Sequence, residues 1–287
     1  MGLIILAVSL VGCTPSNRCS NDGDCAAGFS CAEGICRQQK DGSNGTDDGD
    51  GGAGDSDRPQ DDMVTVDAGT FHMGCDENVE APCAADEVPY HDINLAAFEI
   101  DRHEVSQANY QACVRSGTCF PPASDPECHW DPVQNADLPV VCVNWEQART
   151  YCGWLNNRLP SEAEWEKAAR GLDARIFPWG NADPDCSRAA SSECVISVQP
   201  VGSLPAGVSP CGALDMGGNV WEWVNDYYLA DYYASSPANN PPGPADSTHR
   251  AMRGGSYLHE AALTRCANRG GEVPTVYKEY LGFRCAR

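Results

Sequence analysis

The chain has 287 residues, 41 acidic side chains against 19 basic ones, a formal charge of −22, and 17 cysteines. Nucleic acids and anionic lipid headgroups demand clustered Lys and Arg, so a charge of this sign and size excludes DNA and RNA as partners. No C-x-x-C spacing occurs, which removes zinc ribbons, thioredoxin-type pairs and iron–sulfur motifs and leaves disulfides formed outside the cytosol as the use of the thiols.

The chain opens on MGLIILAVSLVGC. An apolar run leading into Leu-Val-Gly-Cys has the form of a bacterial lipoprotein signal, with residues 1–12 removed and Cys13 acylated; an ordinary secretory signal is the alternative. Thr14 is not the Asp of an inner-membrane retention signal, which favours the outer membrane or cell surface. Acylation of Cys13 leaves 16 thiols, enough for up to eight disulfides. Residues 13–36 carry four further cysteines and too few apolar side chains for a core, and so read as a small cross-linked knot. Residues 37–62, rich in Asp, Gly, Ser and Asn, bury nothing and read as a disordered acidic linker. Its Asp-rich centre lacks the spaced ligands and closing Glu of an EF-hand.

Residues 63–287 have the length and aromatic content of one globular domain. Strands are predicted at Met63–Met73 and Ile93–Asp101, and a helix from Ser106 to Arg115 with Tyr110, Cys113 and Val114 inward. Asn144 with Gln147 is a capping box for a helix reaching Asn157, and Ser161 with Glu164 is a second, its helix stopped by Gly171. Further strands are predicted at Arg250–Tyr257, Arg265–Asn268 and Gly282–Ala286. The sum is an α+β domain with little regular secondary structure, rich in disulfides.

Seven blocks in order carry a resemblance: MVTVDAGTFHMG, EVPYHDINLAAFEIDRHEVSQANY, LPVVCVNWEQARTYCGWLNNRLPSEAEWEKAARG, FPWGN, LDMGGNVWEWVND, RAMRGGSYLH and GFRCAR. Together they resemble the formylglycine-generating enzyme, or sulfatase-modifying factor, family over residues 63–287. The resemblance implies a C-type-lectin-like fold and a structural calcium ion. In catalytic members, two cysteines after Gly-Gly-Ser bind copper and convert a sulfatase cysteine to formylglycine. Here Gly254-Gly255-Ser256-Tyr257-Leu258 leads to His259, with no cysteine before Cys266. The thiolates that would hold Cu(I) are missing, and copper-dependent thiol oxidation is not expected.

By the same resemblance, Asp215 and Glu222 would bind calcium through side chains, and Gly218 and Val220 through carbonyl oxygens. The alternative is an ion pair between Glu222 and a framework arginine such as Arg284. A second family calcium site finds no clear ligands in residues 186–207. Trp221, Ser256 and Arg253 match positions bordering the family's groove, and His259 joins them as a candidate. Their structural alternatives are a packed aromatic, a strand-end turn and a hydrogen-bonded histidine. In RLPSEAEWE, Arg158, Glu162 and Glu164 read as framework ion pairs and a helix cap, with Trp165 in the core. No HExxH, G-x-S-x-G or phosphate loop occurs.

Chain proximity suggests the pairs Cys75–Cys83, Cys113–Cys119, Cys128–Cys142 and Cys186–Cys194. Cys152–Cys285 resembles a family bridge. The family partner of Cys266 falls at Ala169, which leaves Cys211 as its expected mate. The first functional reading is a lipid-anchored, extracytoplasmic binding or assembly module for a protein, peptide or glycan. A second is an enzyme of the same fold working without copper cysteines, and a third is a formylglycine generator.

Overall fold

The structure, a computed structural model, describes residues 29–32, 35–38, 59, 62–80 and 82–287. The signal segment, Cys13 and nearly all of the acidic linker lie outside the described residues. Two compact units divide the chain, Met1–Gly52 and Ala53–Arg287. In the first, β1 (Phe29–Ala32) and β2 (Ile35–Gln38) form an antiparallel hairpin in which Cys31 stands opposite Cys36.

In the second unit, β3 (Met63–Val66) pairs antiparallel with β6 (Phe98–Asp101), and β4 (Gly69–Met73) with β5 (His91–Leu95). The two long strands read from the sequence are thus each broken in two. At the first break Gly69 adopts φ 140°, a conformation that a side chain disfavours. The main sheet has the order β10-β7-β8-β9 and comprises β7 (Trp221–Tyr227), β8 (Arg250–Arg253), β9 (Arg269–Glu272) and β10 (Leu281–Phe283). β10 runs parallel to β7 and the other pairs are antiparallel.

Three helices, α1 (Gln107–Arg115), α2 (Trp145–Trp154) and α3 (Glu162–Arg170), form where their caps predict. The Ser106 side chain accepts from the Asn109 amide, and both capping boxes close reciprocally. Gly171, at φ 73°, ends α3, and a Cβ there would stand 2.7 Å from Pro210 Cγ. α3 packs on β4, β7 and β8, while α2 packs on α1 and β7. One apolar cluster gathers Phe71, Ile93, Ile100, Trp165, Ala168 and Cys266, and a second gathers Tyr110, Tyr151, Leu159, Trp223 and Phe283. Three buried indoles satisfy their N–H groups: Trp145 on Val224 O at 2.8 Å, Trp165 on Glu222 at 2.9 Å, and Trp223 on Val143 O at 3.0 Å.

Five predicted disulfides are present: Cys75–Cys83, Cys113–Cys119, Cys128–Cys142, Cys152–Cys285 and Cys186–Cys194. The sixth is a correction, because Cys211 and Cys266 are both free. Cys266 is fully buried in the first cluster. The half-buried Cys211 instead turns its thiol to the Ala168 carbonyl at 3.3 Å and lines a cleft of about 460 Å³ with Lys167, Leu172 and Pro210.

RLPSEAEWE is framework, as read. Arg158 grips Glu164 at 2.6 and 2.7 Å, Arg269 grips the buried Glu162 with two contacts of 2.7 Å, and Trp165 is fully buried. Beside them Glu166 holds Arg170 and Arg253, and Arg170 also reaches Glu80 at 2.8 Å. Arg253 is therefore a buried framework arginine, and its expected place at a groove edge is corrected. Its guanidinium also lies 3.8 Å from Glu162 and donates to the carbonyls of Cys266, Ala267 and Asn268. Those carbonyls occupy the segment predicted as a strand at Arg265–Asn268, and ladder pairing begins only at Arg269.

Asp226, on β7, accepts the Glu162 amide at 2.9 Å at the start of α3. Burial first, and then the charge of Glu162, push its carboxyl up to about 7. The folded state then keeps a proton that the unfolded chain loses above about pH 4, so Asp226 makes stability fall as pH rises from there to about pH 7. Asp226→Asn keeps an acceptor oxygen and removes that titration. Its urea midpoint is expected to exceed the parent's at about pH 8 and to vary less down to about pH 5; equal pH dependence in the two proteins would refute the assignment.

Candidate functional site

The LDMGGNVWEW segment turns sharply before entering β7. Asp215 and Asn219 take left-handed backbone angles, φ 58° and 61°, with Gly218 between them at φ 94°. Gly218 cannot carry a side chain, because a Cβ would meet Ala190 O at 2.5 Å. This turn and the end of β6 bring three buried carboxylates together, those of Glu104, Asp215 and Glu222.

Glu222 takes the arginine pairing raised as an alternative. Arg284 donates to its two oxygens at 2.7 Å each, and Trp165 adds a third bond at 2.9 Å. The other Arg284 donors end on the carbonyls of Asp101, Arg102 and Leu214, so all five guanidinium hydrogens are spent. One arginine therefore faces three acids. Burial above all, with the charges of Asp215 and Glu222 added, holds Glu104 well above the usual carboxylate range. Asn219 donates to Glu104 Oε1 at 2.9 Å, but its buried Oε2 has no partner. Asp215 accepts the Gly202 amide at 2.6 Å. Among the described residues, no hydrogen bond reaches the carbonyl oxygens of Gly218 or Val220.

A carboxylate has about four lone-pair sites, and Glu222 has used three. Carboxylates and unbonded carbonyl oxygens are the donor types that a hard cation takes, and by the resemblance Asp215, Glu222, Gly218 and Val220 are the residues that would hold calcium. The pairing with Arg284 and a calcium ligand role for Glu222 are thus compatible. Glu104 is a member that sequence reading missed. Its signal was the acid in DRHEVS, which looks like one more surface charge in an acidic chain.

The turn after β8 builds a second feature. Gly254 and Gly255 adopt φ 101° and 76°, and a Cβ on Gly255 would meet Leu263 O at 2.7 Å. They deliver a fully buried Ser256, whose Oγ lies 2.6 Å from Nδ1 of the half-buried His259. The imidazole stands edge-on between two rings, Trp221 at 6.0 Å and Tyr280 at 5.4 Å. Burial lowers its basicity. Trp221 is buried, yet its indole N–H has no partner, unlike those of Trp145, Trp165 and Trp223. The three groove candidates therefore meet in space. A different cluster of metal-type side chains, Cys75, Cys83 and Glu87, has its thiols spent in a disulfide and its carboxylate on Arg265.

Comparison with known proteins decides the family. Residues 52–287 match the model of the sulfatase-modifying factor enzyme 1-like domain. The chain belongs to that family. It is 32% identical to a formylglycine-generating enzyme of Thermomonospora curvata, over 78% of this chain and 92% of that one. It is 29% identical to an inactive C-alpha-formylglycine-generating enzyme 2 of Bos taurus, over 78% of this chain and 87% of that one. Among solved structures, PvdO from Pseudomonas aeruginosa superimposes with a TM-score of 0.68 at 27% identity, covering 78% of this chain and 93% of its own. The fold expected from the sequence, that of the formylglycine-generating enzymes, is the fold observed. In the segment after Gly254-Gly255, this chain places the imidazole of His259 on the hydroxyl of Ser256.

Proposed function

We propose that this chain is a lipid-anchored, extracytoplasmic binding or assembly module of the sulfatase-modifying factor family. A calcium ion at Asp215, Gly218, Val220 and Glu222 braces its groove, and copper–thiol chemistry has no part in it. The contact that carries the reading is Ser256 Oγ to His259 Nδ1 at 2.6 Å, a neutral pair in the place of a thiolate. The buried free thiol supports it too: burial, before any other cause, pushes Cys266 up to about 12, so it offers no thiolate at neutral pH. Similarity to a family member named as inactive is consistent with a module that binds without oxidising.

The lipid anchor rests on the sequence at Cys13; among the described residues no helix is long and apolar enough to cross a membrane. The second reading, an enzyme without copper cysteines, draws on the same half-buried imidazole. Ser256 is fully buried, so the half-buried His259 is the group better placed to act, as an acid or base. The test incubates the purified chain with copper, oxygen and a sulfatase-type cysteine peptide. No aldehyde is expected, and its formation would overturn the reading. Radiolabelled palmitate is expected to enter the parent and not Cys13→Ser; equal labelling would remove the anchor.

A further inference from the structure

The hydrogen-bond chemistry around Ser256 fixes more than a contact. Its Oγ accepts from the Leu258 amide at 3.3 Å. Among the described residues the hydroxyl proton has one acceptor, Nδ1 of His259. Ser256 therefore donates to Nδ1, and the neutral ring must carry its own proton on Nε2. The loop cannot easily turn the ring away: the His259 amide donates to Ser256 O at 3.0 Å, and the His259 carbonyl accepts from Ser192 at 3.0 Å. The Cys186–Cys194 bridge braces the Ser192 side. No hydrogen bond within the described residues uses Nε2.

A second donor stands beside it, the partnerless N–H of the buried Trp221. A buried donor without a partner is costly, and a ligand oxygen would remove that cost. Charge then narrows the ligand. Glu260 follows His259 directly, Glu193 accepts the Ala261 amide at 3.0 Å, and Glu127 and Glu279 both act on Tyr257, with Lys278 the basic side chain that acts on Tyr280. Acidic side chains flanking the loop that carries His259 disfavour a carboxylate and admit an uncharged oxygen.

We propose that Ser256 locks His259 as a neutral donor, and that its Nε2–H together with the Trp221 indole N–H receives an uncharged carbonyl of the ligand. This deepens the binding-module reading and rests on it for the ligand, while the tautomer stands without it.

The first experiment is nitrogen-15 NMR of the imidazole in the full chain near neutral pH. The neutral Nε2–H form is expected, and Ser256→Ala is expected to lose that preference while keeping the parent's circular dichroism. An Nδ1–H form or an imidazolium in the parent would overturn the lock. The second uses benzamide as the probe, with benzoate beside it, followed by shifts of the His259 and Trp221 N–H signals. Benzamide is expected to move both signals and to bind at least about tenfold more tightly than benzoate, and His259→Ala is expected to weaken it about tenfold. Equal binding of benzoate, or shifts that avoid both N–H groups, would overturn the carbonyl site and leave the tautomer result standing. Aldehyde formation in the copper assay would instead sink the module reading alone.

Discussion

Arg284→Gln is expected to lower the unfolding free energy of the domain by about 3–5 kcal/mol, the cost of leaving buried acids without their countercharge. Arg284 and Glu222 are both fully buried, and Glu104 and Asp215 already outnumber that one cation. Glutamine replaces a five-donor fork with a two-donor amide, so carbonyls of Asp101, Arg102 and Leu214 lose partners as well. The exposed pair Arg149–Glu146, at 2.6 Å, is the control, and Arg149→Gln is expected to change stability by less than about 1 kcal/mol. Urea unfolding of the three proteins makes the comparison. Millimolar calcium is expected to raise the midpoint of the parent and to raise that of Arg284→Gln by more, because the same carboxylates then depend on the ion alone. A loss equal to that of the control would refute the buried ion pair, and indifference of both proteins to calcium would refute the cation site.

The second large effect is covalent. Removing Cys152–Cys285 by the double alanine substitution is expected to cost about 5 kcal/mol, against about 2 kcal/mol for Cys113–Cys119. The difference comes from the loops released, with sequence separations of 133 and 6. A single domain has only about 5–15 kcal/mol to lose. The first variant should therefore unfold near physiological temperature, while the second stays folded with a lowered midpoint. Calorimetry of the two variants decides, and equal losses would mean that the long bridge adds no constraint beyond a local one.

How much of this was legible in the sequence follows from the range of each interaction. Helix caps are local, so Ser106, Asn144 and Ser161 announced the starts of α1, α2 and α3, whereas α2 ends at Trp154, short of the expected Asn157. Short disulfides were legible from spacing, and Cys152–Cys285 from the resemblance. β7 was missed as a strand. Its residues Trp221–Val224 are buried on both faces, so they lack the alternation that marks a half-exposed strand. Cys211–Cys266 failed because parity is a property of counts, whereas a bridge needs two thiols facing one another. The groove candidates were named residue by residue, and only the fold could set Ser256 against His259 and leave Trp221 without a partner. Glu104 was illegible for a similar reason, since its importance lies in Asp215 and Glu222, more than a hundred residues along the chain.

Residues 281–287 hold a disproportionate share of what closes the domain. β10 lies alongside β7, Arg284 pairs with Glu222, Cys285 makes the long bridge, and Ala286 and Arg287 donate to the carbonyls of Arg158 and Glu99. A chain cut before Leu281 loses all of these contacts at once, and its core is then expected to stay open to proteolysis.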